Sequence, residues 1–239
     1  MKATDLSTSV MLGIMCLSTL AARMVAQDRG GTHPSVGRAV IGGVFSKAKA
    51  SGSLEYWGVC DFKNYYPDFP KLRAVPDRQG SPVELLREMF VDDPEMRVSQ
   101  DADGRIRMIE DDVPSDLLDV RIPHLQFTGE YHGIKFAIVT ILKTPEVIAF
   151  RKEHKIGAEA NWGPGFSLNH SAFAPEVPRV LGDLYDVTVR QALDYVLQTF
   201  QGFWLYENCK NSEGGRNVIF GFVENLPDVI PVRTKEGER

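Results

Sequence analysis

The stretch Tyr185–Val223 constrains the fold more than any other part of the chain, because it contains a helix pattern with a marked start. Thr188 and Gln191 have the spacing of a capping box, which satisfies backbone N–H groups of the first helical turn. Apolar side chains then recur every three or four residues, which lines one face of an α-helix. That face consists of Val189, Ala192, Leu193, Val196, Leu197 and Phe200.

A β-hairpin is predicted directly after this helix. Gly202 ends the helical pattern, and the aromatic run at 203–206 follows it. A polar, Gly-containing segment at 210–215 separates this run from a second apolar run at 218–223. Two apolar runs joined by such a segment are typical of paired strands and their turn. With the strand at 184–187, the order is strand, helix, hairpin.

This order, and one phrase within it, resemble a known family. The phrase LYDVTVRQAL at 184–193 is similar to the opening of the secretin and TonB short N-terminal module, where a strand runs into a helix. The resemblance covers about 40 residues, within 181–223, and implies a βαββ unit. Modules of that family dock to protein partners, so the resemblance implies a non-enzymatic protein–protein docking function in the cell envelope.

The first half of the chain repeats the order of helix and hairpin. Ser81 and Glu84 form a second capping-box pattern, with Pro82 at the first helical position. Alternating patterns at 95–100 and 105–110, on either side of a Gly-containing turn, predict two strands. We interpret the recurrence as a degenerate duplication of one α/β unit, the alternative being chance recurrence of a common arrangement.

The fold class predicted from these patterns is α+β, with two small helix-plus-hairpin units. We expect a signal peptide at 1–26, an N-terminal α/β unit at 27–130, a helical pair with a long loop at 131–180, and the βαββ unit with a short tail at 181–239. The long loop is predicted to begin at Gly157 and to end at Arg179.

Further elements are predicted between these landmarks. Alternation at 54–62 indicates a strand, and the pattern at 118–127 indicates an edge strand because Pro123 interrupts it. Apolar spacing at 133–143 indicates a helix, and Thr144-Pro145-Glu146 marks the start of a second, short helix that runs to about 154.

The N-terminus has the pattern of a secretory signal peptide. Lys2 precedes the apolar run 10–17, and small residues follow that run. We expect cleavage after Ala26 or Ala22 and export to the periplasm or the outside, the alternatives being an uncleaved anchor or a buried helix. No later segment has the roughly 18–20 apolar residues of a membrane span, so we expect a mature form that does not span the membrane.

Charge and cysteine content narrow the classes of partner. The net charge of −5, without a concentrated basic patch, argues against nucleic acid. Cys60 and Cys209 remain after cleavage, and an exported pair is consistent with one disulfide. Two buried free thiols are the alternative that the sequence leaves open.

The long loop supplies the candidate binding residues. Trp162, Phe166 and Phe173 are aromatic residues of the type that dominates binding hot spots. We expect an unidentified envelope protein to bind this loop, together with His170, or to add a strand to an exposed sheet edge. The histidines lack paired ligand spacing, so we predict no metal site and no cofactor.

Two alternatives to docking remain. His170 could serve as the general base of an envelope hydrolase, if a cleft brought it beside a carboxylate and a nucleophile. A structural subunit of an envelope assembly is the other alternative, and it would be an obligate oligomer.

Overall fold

A computed structural model shows an α+β fold built around a six-stranded sheet. The residues that it describes are 34–59, 69–129, 133–160, 178–210 and 215–225. The helices in these ranges are α1 Pro34–Ala48, α2 Pro82–Met89, α3 Ile134–Leu142, α4 Pro145–Glu153 and α5 Val189–Val196. The strands are β1 Gly52–Val59, β2 Met96–Gln100, β3 Ile106–Glu110, β4 Arg121–Phe127, β5 Ile156–Ala160, β6 Gly182–Thr188, β7 Gly202–Lys210 and β8 Arg216–Glu224.

The large sheet joins strands from both halves of the chain. Its order is β2-β3-β1-β7-β8-β5. The hairpins β2–β3 and β7–β8 are antiparallel, whereas β1 is parallel to both β3 and β7, and β5 is parallel to β8. The remaining strands, β4 and β6, form a separate antiparallel ribbon. The β1–β7 pair is therefore the seam between the two halves.

Each face of the large sheet is covered by a different set of helices. Helices α1 and α2 pack against one face, where Leu54, Met108 and Leu205 point into the first core. Helices α3, α4 and α5, together with β4, pack against the other face, where Trp204 and Phe220 point into the second core. Alternate residues of a strand point to opposite faces, so β7 contributes side chains to both cores.

Both predicted capping boxes are present. The Ser81 hydroxyl accepts a hydrogen bond from the Glu84 N–H and starts α2, and the Thr188 hydroxyl accepts from the Gln191 N–H and starts α5. The hairpins follow as expected, with Gly104 at φ 86° in the first turn. The predicted helical pair is also confirmed, as α3 and α4.

We predicted an irregular loop that begins at Gly157, and this starting point is wrong. Residues Ile156–Ala160 form β5, which pairs with β8 from Ile156 opposite Arg216 to Ala160 opposite Phe220. The segment IGAEA consists mostly of small residues that favour strands weakly, and its sequence carries no clear alternation. Backbone pairing with β8, a long-range interaction, makes it a strand.

Two other elements differ from the patterns read in the sequence. Helix α1 occupies Pro34–Ala48, which includes the glycines 37, 42 and 43, and the sequence patterns assigned no element to this segment. The strand that leads into α5 is present as β6, but it pairs with β4 and not with the β7–β8 hairpin. Both outcomes depend on packing partners that are distant in the sequence.

Buried ion pairs join the two halves across the β1–β7 seam. The Arg107 guanidinium on β3 donates two hydrogen bonds, of 2.9 and 2.6 Å, to the Asp194 carboxylate on α5. The Trp204 indole N–H donates to the same carboxylate at 2.9 Å. On the same face, Arg190 of α5 pairs with Glu55 of β1, whose side chain is fully buried. Helix α5 is therefore fastened to strands of the other half.

We expect Asp194→Asn to destabilise the protein by about 3 kcal/mol, because the buried Arg107 guanidinium then keeps only the half-exposed carboxylate of Asp101 as a charged partner. The matched control is Asp186→Asn, which breaks the exposed Arg121–Asp186 pair and should cost no more than about 1 kcal/mol. Urea unfolding followed by circular dichroism measures both changes. Equal losses for the two variants would contradict a structural role for the buried pair.

Candidate functional site

The large sheet has two edge strands in the described part of the chain, β2 and β5. An edge strand presents backbone N–H and C=O groups that a strand of another chain can pair with. Such pairing is one of the two binding modes expected from the sequence. The surroundings of the two edges therefore decide which of them is the better docking surface.

An open pocket of about 340 Å³ lies beside the β5 edge, where α4 turns into β5. Lys155 makes this turn with φ 52°, which lets the strand start directly after the helix. The exposed Ile148 supplies apolar surface to the pocket. Its lining residues are Ile148, Arg151, Lys152, Lys155, Ile156 and Gly157, which include three cations and no acid.

Arg151 is the half-buried cation of this pocket. Its Nη2 donates to the Ala158 carbonyl oxygen of β5 at 3.3 Å, whereas its buried Nε has no hydrogen-bond partner among the described residues. Burial lowers the pKa of Arg151. By contrast, Arg38 and Arg107 each pair with a carboxylate. The pocket therefore holds positive charge that a carboxylate from outside would stabilise.

The β2 edge carries a guanidinium on one of its carbonyls, as the β5 edge does, but with a shorter hydrogen bond. Hydrogen bonds from the Asp101 N–H to Arg105 O and from the Asp111 N–H to Glu95 O show which β2 residues face β3. In this antiparallel register the carbonyl of Val98 points away from β3, and it accepts a hydrogen bond of 2.9 Å from Arg87 Nε. A guanidinium that covers an edge carbonyl discourages pairing with a foreign strand. Arg151 covers Ala158 O of β5 with a longer hydrogen bond of 3.3 Å, so the two edges differ chiefly in the pocket beside β5.

The β5 edge is the stronger candidate because it combines strand backbone, an apolar contact and uncompensated positive charge. A partner strand that carries an acidic residue would form main-chain hydrogen bonds with β5 and an ion pair in the pocket. In the part of the chain that the structure describes, no group of three His, Cys, Asp or Glu residues could hold a metal ion.

Four of the predicted site residues, Trp162, Phe166, His170 and Phe173, lie outside the described residues. In the sequence they come after β5, which ends at Ala160. Both expected binding elements, the segment with the aromatic residues and a sheet edge, are thus adjacent along the chain. The cations of the pocket, Arg151, Lys152 and Lys155, were not among the site residues predicted from the sequence.

Cys209 lies on β7, is fully buried and is disulfide-bonded. Its candidate partner Cys60 lies outside the described residues. Gly58 is opposite Cys209 in the parallel β1–β7 pair, and Cys60 comes two residues later in the sequence.

A second polar cluster is buried below α1 and is closed to a partner. The Tyr56 hydroxyl donates to Glu207 Oε2 at 2.7 Å, and Arg38 Nη2 donates to the same oxygen at 3.1 Å. Burial raises the pKa of Glu207, against the lowering effects of Tyr56 and Arg38. With Glu207 1% exposed, this cluster fastens α1 to β7 rather than forming a binding site.

None of the helices in the described ranges is long and apolar enough to cross a membrane. Comparison of the chain with protein-family models, with curated proteins and with solved structures finds no match.

We expect the unfolding free energy of wild type, relative to that of Glu207→Gln, to decrease as pH rises from about 4.5 towards neutral. The reason is that a carboxyl group with a raised folded-state pKa stabilises the folded protein while it is protonated. That contribution is present below the unfolded pKa and is lost as pH rises through the folded one. Unfolding free energies measured across this range test the sign.

The control for this pH series is Glu84→Gln, because hydrogen bonds from the Ser81 backbone and side chain lower the pKa of Glu84. The stability that Glu84 contributes is present above its unfolded pKa and is lost as pH falls. The unfolding free energy of wild type, relative to that of Glu84→Gln, should therefore increase as pH rises. The same sign for both variants would contradict the assignment.

We expect Cys60 to be the disulfide partner of Cys209. Peptide mapping without reductant should recover the two cysteines in one linked fragment. Because the closed loop is long, Cys209→Ser should lower the unfolding free energy by about 4–5 kcal/mol in the chain-entropy model. Recovery of Cys60 as a free thiol would contradict this prediction.

Proposed function

We propose that this chain is an exported, non-enzymatic protein that docks to another protein of the cell envelope through the β5 edge of its large sheet. The partner contributes an extended segment that pairs with β5 and places a carboxylate in the basic pocket. The observation that carries the proposal is the combination, at one edge strand, of three cations without an acid and a buried guanidinium nitrogen without a partner.

The energetics of such docking favour an acidic, extended partner segment. Main-chain hydrogen bonds to an edge strand provide affinity for many sequences, and side-chain contacts provide specificity. A carboxylate beside Arg151 would form charge-assisted hydrogen bonds, which are roughly twice as strong as neutral ones. Ile148, half exposed at the rim of the pocket, adds apolar contact for a neighbouring side chain of the partner.

The resemblance of 181–223 to the secretin and TonB short N-terminal module supports the same class of function, since modules of that family act by docking. The segment with Trp162, Phe166, His170 and Phe173 follows β5 and is proposed as the continuation of the docking surface. In this proposal His170 contacts the partner and is not a catalytic base.

A photo-reactive amino acid at Ile148 tests the proposal in the organism of origin. We expect irradiation to cross-link the chain to one recurrent envelope protein, because this position borders the pocket. The matched probe position is Val75, which is similarly exposed but lies elsewhere in the fold. Cross-linking of the same proteins from both positions, or of none from Ile148, would contradict docking at β5.

Lys152→Glu should reduce this cross-link by about tenfold or more, because a like charge then faces the partner carboxylate. The control is Lys47→Glu, an identical charge change in the last turn of another helix. The control should leave the yield unchanged. If both variants reduced the yield equally, overall charge and not the pocket would be responsible.

A further inference from the structure

The cations of the pocket beside β5 come from one face of α4 and from the turn that follows it. Ile148, Arg151 and Lys152 are three and four residues apart, so they share a face of the helix. Lys155 follows the helix and lines the same pocket. Within the described ranges none of these three cations forms an ion pair. The pocket therefore concentrates three positive charges without an internal counter-charge.

The acids of α4 lie on other sides of the helix. Glu146 is two residues before Ile148, and Glu153 directly follows Lys152. Side chains one or two residues apart on a helix do not face each other. Neither carboxylate is among the residues that line the pocket. An anion that neutralises these cations would therefore have to come from outside the helix.

Arg151 is held in place and keeps donors for a ligand. Its Nη2 donates to Ala158 O at 3.3 Å, which ties the guanidinium to β5. A guanidinium carries five N–H donors, and this bond uses one of them. The planar fork of an arginine side chain matches the oxygens of a carboxylate or a phosphate group. Arg151 can therefore bind an oxyanion and keep its bond to the strand.

The charge of the pocket fits a phosphate group better than a carboxylate. A carboxylate brings one negative charge to three cations, whereas a phosphate group brings about −1.5 to −2 charges and three acceptor oxygens. Each of these oxygens can accept a charge-assisted hydrogen bond from one of the three cations. The pocket volume of about 340 Å³ lies within the range of about 300–1,000 Å³ that is usual for small-molecule sites.

Cations at the end of a helix often serve only to offset the partial negative charge of its last carbonyls. The end of α1 has that simpler arrangement. Lys47 lies in its last turn, and Lys49 follows with φ 50°, as Lys155 follows α4 with φ 52°. Four residues before Lys49 the chain has the fully buried Phe45, whereas four residues before Lys155 it has Arg151. The end of α1 is therefore a matched control that lacks the guanidinium.

We propose that the pocket beside β5 binds a phosphate group through Arg151, Lys152 and Lys155, and that bound phosphate regulates docking by competing with the carboxylate of the partner. The regulation rests on the proposed function, whereas the binding of phosphate does not. A free phosphate ion and the phosphate monoester of a lipid headgroup present the same chemistry to the pocket.

Calorimetric titration of the purified chain with inorganic phosphate tests the binding. Sodium chloride keeps the ionic strength constant, so that general screening does not change during the titration. We expect saturable binding at one site. Acetate should bind more weakly than phosphate, because it brings a single negative charge.

Removal of single charges assigns the binding to the pocket. Lys152→Gln and Lys155→Gln should each weaken phosphate binding by about tenfold, because each removes one charge-assisted hydrogen bond. The control Lys49→Gln removes the same charge from a residue with the same positive φ after α1 and should leave the affinity unchanged. All three lysines are exposed, and circular dichroism checks that each variant is folded.

Vesicles distinguish the two sources of the phosphate group. Co-sedimentation of the chain with vesicles of phosphatidic acid in phosphatidylcholine, but not with phosphatidylcholine alone, would identify a lipid headgroup as a ligand, provided that Lys155→Gln abolishes it. Saturable binding of inorganic phosphate without co-sedimentation would identify free phosphate.

The inference is overturned if neither inorganic phosphate nor the vesicles bind, or if Lys49→Gln weakens binding as much as Lys155→Gln does. Phosphate binding without any cross-link from Ile148 would keep the phosphate site and contradict docking. Conversely, a cross-link whose yield is equal in phosphate and in chloride of the same ionic strength would keep docking and contradict its regulation by phosphate.

Discussion

The buried carboxylate of Asp194 is the interaction on which the rest of the structure depends. It accepts hydrogen bonds from Arg107 on β3 and from Trp204 on β7, and so connects α5 to strands of both halves. Isolated buried charges cost several kcal/mol, and this cluster tolerates burial because the carboxylate and the guanidinium compensate each other. A slip of one half along the seam would separate them, so the ion pair also specifies the register of β1 and β7.

The buried polar clusters lie on both faces of the central strands, so the candidate docking surface lies at the edges of the sheet. Arg38 and Glu207 fasten α1 on one face, while Arg190 and Glu55 fasten α5 on the other. Both faces of the central strands are therefore closed to a partner. Edge backbone remains at β2 and β5, and uncompensated positive charge lies beside β5, which is why the proposed docking involves the β5 edge.

Much of the fold was predictable from local patterns, and the candidate site was not. The capping boxes at Ser81 and Thr188 gave two helix starts, because side chains within four residues satisfy the first-turn N–H groups. The hairpins were predictable from apolar runs and their turns. The strand β5 was missed because its small residues lack a strand pattern, and the pocket was missed because a half-buried Arg151 has the same local sequence signal as an exposed one. The sequence led us to expect that a partner adds a strand to a sheet edge, but it did not indicate which edge.

The sequence by itself determined the α+β class, the capped helices and the two hairpins, since each of these depends on interactions between residues close together in the chain. The tertiary structure alone decided the pairing of β5 with β8, of β6 with β4, and of β1 with β7. It also decided which charges are paired inside and which remain at an edge. These outcomes depend on burial and on hydrogen bonds between residues far apart in the chain, and local spacing carries no information about such partners.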